Sequence, residues 1–229
     1  MGEIKSFDFY KLIIGVLTTV GFRKDEILES LSKKFGEIDF VSHFLDFNYT
    51  NYYNSEMGDN IKRFFVSFKE LIDPSALADI KIRTNELEKL FVEGTFSQPA
   101  WRSRNSECSV GQSVHSAEIS SGGLEARKVN FDPGILNQSR LILASTKDNA
   151  HRMPLYKGIF GEITLLFQKQ GIQTFPWTFK DFRSPEYAEI LLELRSIYKA
   201  ALERHPADSL RHPDENRDLL FVLFYYLFC

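Results

Sequence analysis

Polar side chains that can bind a ligand or move a proton are concentrated in residues 145–152, directly after an apolar stretch. The segment reads S-T-K-D-N-A-H-R and combines two hydroxyls, two cations, the carboxylate of Asp148 and an imidazole. Arg152 can hold a phosphate or carboxylate as a planar fork, and Lys147 can do so as a point charge. His151 can donate or accept a proton near neutral pH. The pattern predicts an anion-binding loop, with a solvated turn as the alternative.

A second polar group lies in the segment R-K-V-N-F-D-P-G, residues 127–134. In an extended strand Asn130 and Asp132 point to one face and Arg127 points to the other. The Pro-Gly pair predicts a turn that ends the strand and holds the Asp132 carboxylate in place. Arg127 and Asn130 are therefore candidate ligand-binding residues, and Asp132 is a candidate acid–base group. The alternative is a turn in which Asp132 accepts hydrogen bonds from its own backbone.

The third group lies on a helix predicted over 74–91, which carries polar residues beside its apolar face. That face is formed by Leu77, Ile80, Leu87 and Phe91. At 100° per residue Lys81, Thr84 and Glu88 fall on or beside the same face, next to Asn85. Because an unpaired buried charge is costly, Lys81 and Glu88 must be paired or line a polar cavity. The alternative is a boundary pair in which the lysine stem reaches toward solvent.

Strands and helices alternate along the chain and must position these groups. Apolar runs predict strands at 11–18, 38–47, 62–68, 140–146 and 159–167, besides the strand that ends at the Pro-Gly pair. Capping signals predict helices over 25–35, 74–91 and 185–204. The order is β-α-β-β-α-β, followed by two strands and a helix. It predicts an α+β fold with a ferredoxin-like start, in which a mixed or antiparallel sheet has its helices packed on one face.

Two further polar or aromatic features are weaker candidates. Glu162 lies inside the alternating strand 159–167, where exposure to water is the simpler interpretation. The segment 176–182, P-W-T-F-K-D-F, is interpreted as an aromatic loop that packs over the sheet.

The domain organisation is predicted to be one α+β domain over residues 1–204. Within it, residues 97–123 are rich in serine and glycine and predict a flexible insertion. An extension over 205–229 ends in eleven apolar residues, 219–229. Spanning a bilayer takes about 20 such residues, so no membrane span is predicted. The tail is expected to pack on the core, or alternatively to mediate homo-oligomer formation.

Composition excludes several classes of protein. The formal net charge of -3 and the pI of about 6.0 argue against a nucleic-acid partner. The two cysteines are too few for a disulfide framework or a cysteine-based zinc site, and the first residues lack a signal-peptide pattern. A reducing, cytoplasmic location is therefore expected. The sequence contains no G-x-x-x-x-G-K-[ST], G-x-G-x-x-G, G-x-S-x-G or H-E-x-x-H motif.

Several of these strings together resemble the family of domain of unknown function 4416, small bacterial and archaeal proteins without an established activity. The matching strings are KLIIGVL, TNYYNSEMG, LADIKIRTNELE, RKVNFDPG, LILASTKDNAHR, GIFGEITLLF and PWTFKDFRS. Their order and spacing match over roughly residues 10–198. The resemblance implies that the polar strings belong to one site, but it implies no particular chemistry.

These observations lead to one main hypothesis and two alternatives. The main hypothesis is a site for a small anionic ligand, phosphorylated or nucleotide-like, at the sheet edge, with Mg²⁺ held by carboxylates as an option. Whether the protein is an enzyme stays open. The alternatives are a non-enzymatic module that binds RNA or protein, and an assembly protein.

Overall fold

The computed structural model describes residues 6–19, 23–50, 53, 57, 60–91 and 128–204. The predicted insertion at 97–123, the C-terminal extension and Arg127 lie outside the described residues.

These residues form nine strands and three α-helices. The strands are β1 (Tyr10–Thr19), β2 (Ile38–Val41), β3 (Leu45–Asp46), β4 (Ile61–Ile72), β5 (Val129–Leu136), β6 (Arg140–Ser145), β7 (Met153–Tyr156), β8 (Ile159–Gln168) and β9 (Gly171–Thr174). The helices are α1 (Lys24–Phe35), α2 (Leu77–Glu88) and α3 (Pro185–Arg204). Short 3-10 turns, Pro74–Ala76 and Lys89–Phe91, flank α2, and Asp181–Arg183 precedes α3. The predicted α+β class is confirmed.

The described strands form one sheet in which every pairing is antiparallel. The order is β2-β4-β1-β5-β6-β8-β7, with β3 beside β4 and β9 beside β8. The eight residues 11–18 of β1 are all buried, which suits a strand that is central and covered on both faces.

The helices cover both faces of the sheet, which differs from the predicted placement on one face. Leu12 and Ile14 of β1 pack in one core cluster with residues of α1 and α2. Ile13 points the other way, into a cluster with Leu191 and Leu194 of α3. Because β1 is apolar on both of its faces, each face needs a cover.

Two predicted strand boundaries are wrong. The strand expected over 38–47 is interrupted, so β2 and β3 are separate strands along the same edge of β4. The turn expected at Pro133-Gly134 does not form, and both residues lie within β5. A Cβ on Gly134 would lie 2.6 Å from Leu143 Cδ2 and 2.8 Å from the Ile142 carbonyl oxygen, so glycine lets β5 pass close to β6.

Strand β5 pairs with its two neighbours over different lengths. It pairs with β1 from Val129 to Leu136, but with β6 only from Gly134 to Leu136. Pro133 lacks a backbone N–H. Backbone groups alternate in direction along a strand, and those of Pro133 lie on the side where β6 would pair. The two strands therefore separate beyond Gly134 and leave a fork in the sheet.

Candidate functional site

A cavity of about 1030 Å³ lies at the fork between β5 and β6. Helix α2 contributes one wall and the loop 145–152, which joins β6 to β7, contributes another. The segment 176–183 before α3 and the aromatic residues after β3 complete the lining. A cavity of this size is large enough for a nucleotide or sugar phosphate.

Helix α2 takes the place of β6 as the hydrogen-bonding partner of β5 at the fork. Lys81 Nζ donates to the Phe131 carbonyl oxygen at 2.8 Å, and the Phe131 N–H donates to Glu88 Oε1 at 2.7 Å. Both side chains are buried. Because the two bonds satisfy the peptide groups that β6 leaves unpaired, they hold the fork open.

A buried guanidinium with two carboxylates lies on the α3 side of the sheet. Arg63 Nη2 donates to Asp132 Oδ2 at 3.0 Å, and Arg63 Nη1 lies 3.3 Å from Asp181 Oδ2. Asn130 Nδ2 donates to the other oxygen of Asp132 at 2.9 Å. The guanidinium also lies over the Phe47 ring, 5.0 Å from its centroid. These contacts join β4, β5 and the segment before α3.

The environment of this centre shifts the pKa values of its charged groups. Burial by itself lowers the pKa of Arg63, but the carboxylates of Asp181 and Asp132 outweigh burial and raise it. Burial raises the pKa of Asp181, and the attraction of Arg63 opposes this shift without cancelling it. The attraction of Arg63 therefore does not fully offset the cost of burying the Asp181 carboxylate.

The loop 145–152 is organised around Arg152. Its Nε donates to Glu162 Oε2 at 2.9 Å, and its Nη1 donates to Ser145 Oγ and to the Lys147 carbonyl oxygen, both at 2.9 Å. The Lys147 N–H also donates to Ser145 Oγ at 3.1 Å. Glu162 is thus buried against Arg152, and the interpretation that it faces water is wrong.

His151 lies beside this ion pair but outside the cavity lining. Its Nε2 is 3.0 Å from Glu162 Oε2. Its ring stacks on Trp177 with centroids 5.4 Å apart, and Trp177 stacks on Phe175. Trp177 Nε1 donates to the Ile163 carbonyl oxygen at 3.0 Å. His151 therefore couples the loop to the aromatic segment.

Some buried polar atoms in or near the cavity have no hydrogen-bond partner. Among the described residues these atoms are Arg63 Nε, Glu162 Oε1 and the Tyr187 hydroxyl. Arg63 and Glu162 line the cavity, and the Tyr187 ring packs against Phe65 and Phe182 on the same side of the sheet. Leaving such atoms unsatisfied is costly, and they commonly mark a place filled by water or a ligand.

The structure brings most of the predicted site residues together. The residues that line the cavity are Lys81, Asn85, Glu88, Asn130, Asp132, Lys147 and Arg152. Three others lie outside the lining: Thr84, whose hydroxyl donates to the Lys81 carbonyl oxygen at 2.9 Å, the exposed Asp148, and His151.

Arg63 and Asp181 are cavity residues that the sequence patterns did not single out. Arg63 had a detectable signal, since it is a charged residue inside the apolar run K-R-F-F-V-S-F of β4. A buried arginine needs a partner, so that run implied a carboxylate elsewhere. Asp181 lies in the aromatic segment 176–182, where the surrounding residues indicate packing rather than a charged site.

Charge at the cavity is positive although the chain is acidic. Among the described residues six cations line it: Arg63, Lys81, Lys147, Arg152, Lys180 and Arg183. Four carboxylates of the described residues oppose them: Glu88, Asp132, Glu162 and Asp181. The part of the chain that the structure describes contains no group of three or more His, Cys, Asp or Glu residues suited to hold a metal ion.

Fold and cavity together define an α+β protein with one antiparallel sheet and a charged cavity at a strand fork. The family model described as Domain of unknown function (DUF4416) matches residues 8–97 and 108–198. The chain therefore belongs to this family. No curated protein and no solved structure matches it. No helix in the described part is long and apolar enough to cross a membrane.

Proposed function

We propose that the protein binds a small anionic ligand, phosphorylated or nucleotide-like, in the cavity at the β5–β6 fork. The observation that carries this proposal is the excess of cations over carboxylates among the described lining residues, in a chain whose net charge is -3. An excess of cations in a cleft attracts anions, and low-dielectric walls strengthen the attraction.

The form of the cavity supports the same class of ligand. Lys147 and Lys180 are exposed at its mouth, where they can contact phosphate oxygens. The rings of Tyr49 and Phe179 are partly exposed in the lining and offer flat surfaces for a sugar or a base.

The alternative of RNA binding on an open sheet face has less support. Recognition of that kind needs aromatic side chains on an uncovered sheet. In the described part of this chain, α1 and α2 pack on one face of the central strands and α3 packs on the other, and exposed strand residues lie in β7 at the edge.

A thermal-shift screen of nucleotides, sugar phosphates and acidic metabolites, each with and without Mg²⁺, tests the proposal. A ligand at 100 times its dissociation constant adds about 2.7 kcal/mol to stability, which such a screen detects. A compound that stabilises the wild-type protein should lose most of this effect with Lys147→Ala, because the lysine lines the cavity. The control is Lys169→Ala, which removes an exposed lysine outside the lining.

Three outcomes are informative. A shift that Lys147→Ala loses and Lys169→Ala keeps supports the proposal. A shift that both variants lose equally indicates general attraction by surface charge and contradicts it. The absence of any shift for every anion would end the proposal and move attention to a macromolecular partner.

A further inference from the structure

The charged side chains that line the cavity differ in their exposure to solvent. Lys147, Lys180 and Arg183 are exposed at the mouth. Arg63 and Asp181 are almost fully buried, with side chains 4% and 5% exposed. The side chain of Asp132 is 26% exposed, so a bound molecule can touch it. A ligand that enters between the exposed cations at the mouth therefore meets the carboxylate of Asp132 deeper in the cavity.

Asp132 belongs to a centre in which two carboxyl groups contact one guanidinium. Asp132 and Asp181 share the single guanidinium of Arg63, at 3.0 Å and 3.3 Å. The raised pKa of Asp181 indicates that Arg63 does not fully compensate its buried carboxyl group. The neutral amide of Asn130 supplies a hydrogen bond but no charge. A cationic or hydrogen-bond-donating group would complete the centre.

Arg152 favours an anionic partner, in contrast to the centre around Asp132. Two of its nitrogens are fixed by Glu162, Ser145 and the Lys147 carbonyl oxygen. Its Nη2 makes no hydrogen bond with the described residues, and the residue lines the cavity. A guanidinium held in one orientation is well suited to donate its remaining hydrogen bonds to an oxyanion.

On the basis of the proposed function, we infer that the ligand carries an amino group as well as an anionic group. The amino group donates to Asp132, and the anionic group lies against Arg152 and Lys147. The class of ligand is therefore an amino-bearing phosphate ester, such as an amino sugar phosphate or a nucleotide whose base has an exocyclic amino group. A charge-assisted hydrogen bond to Asp132 makes the amino compound the preferred member of any matched pair.

Two matched pairs of probes and inorganic phosphate test this inference by calorimetric titration. Glucosamine 6-phosphate is compared with glucose 6-phosphate, and cytidine 5′-monophosphate with uridine 5′-monophosphate. The wild-type protein should bind the amino member of at least one pair about tenfold more tightly. Asp132→Asn should abolish that preference, because an amide cannot attract the amino group as a carboxylate does. The control Lys169→Ala, outside the lining, should keep both the preference and the binding of inorganic phosphate.

The outcomes separate the inference from the proposed function. If no probe, including inorganic phosphate, binds the wild type, the proposed function itself fails. If phosphates bind but neither pair discriminates, only the inference fails, and this comparison needs no variant. A preference that survives Asp132→Asn overturns the role of Asp132. Equal weakening of every probe by Asp132→Asn, including inorganic phosphate, points to a structural role and also overturns the inference.

Discussion

Arg63 on β4 reaches Asp132 on β5 by crossing over the strand between them. Their side chains are joined at 3.0 Å although β1 separates the two strands. Gly15 of β1 lies opposite Asp132 in the register, and a Cβ there would be 3.5 Å from Arg63 Nη1 and 3.3 Å from Phe65 Cε1. The missing side chain of Gly15 leaves the space through which the guanidinium extends.

Filling the space above Gly15 should disturb this ion pair. We expect Gly15→Val to displace the guanidinium and to lower the free energy of unfolding by about 1–3 kcal/mol through overpacking. Gly15→Ala adds a single methyl group, whose nearest contact of 3.3 Å needs only a small shift of the Phe65 ring. Urea unfolding of the two variants measures the difference, and equal midpoints would show that the space is not constrained.

Gly134 is expected to be less tolerant of alanine than Gly15. A Cβ at Gly134 meets the Ile142 carbonyl oxygen at 2.8 Å, so the backbone of β6 must move. Gly134→Ala should therefore destabilise the fold by about 1–3 kcal/mol, more than the same change at Gly15. Urea midpoints measured at an unchanged m-value provide the test. A smaller effect at Gly134 would contradict the close approach of β5 to β6.

The bond from Phe131 to Glu88 should contribute measurably to stability. Glu88→Ala leaves the buried Phe131 N–H without its acceptor, which costs about 1–3 kcal/mol. Glu88→Gln keeps an acceptor at that place and should cost less. The control is Glu86→Ala on the exposed face of α2, expected to change the unfolding free energy by less than about 0.5 kcal/mol. If both alanine variants cost the same, α2 does not replace β6 as proposed.

Two ion pairs of the fold should contribute differently to the free energy of unfolding, because one is buried and the other is exposed. Glu162→Ala leaves Arg152 without its carboxylate in a pair whose side chains are 7% and 2% exposed, and a loss of about 3–5 kcal/mol is expected. Asp79→Ala breaks the exposed pair with Lys157 and should leave the denaturation midpoint unchanged. Chemical denaturation of both variants in parallel tests this contrast, which equal losses would refute.

The stability contributed by Asp181 should depend on pH with a defined sign. Burial raises the pKa of Asp181 above its ordinary value of 3.8, so the folded state holds the proton more tightly than the unfolded state. That contribution is fully present below the unfolded pKa and is lost as the pH rises through the folded pKa. The unfolding free energy of the wild type relative to Asp181→Asn should therefore fall as the pH is raised from about 4. A rise over the same range would mean that the ion pair with Arg63 outweighs burial.

The predicted site residues show what local patterns can reveal. Lys81 and Glu88 were identifiable because helical periodicity alone puts them beside an apolar face, where they need partners. The partner they have is the backbone of Phe131, which no side-chain pattern specifies. The burial of Glu162 escapes a local pattern for a similar reason, since alternation within β8 does not tell which face holds a buried counter-ion.

The sequence by itself determined the α+β class, the central buried strand β1 and the three helices, because these depend on periodicity and capping between near neighbours. Only the tertiary structure decided that β5 and β6 part at Gly134, that α3 covers the second face, and that Arg63 meets Asp132 and Asp181. Those features depend on contacts between residues far apart in the chain. Arg63 and Asp181 are separated by more than a hundred positions, and their pairing is set by strand order and by the space above a glycine.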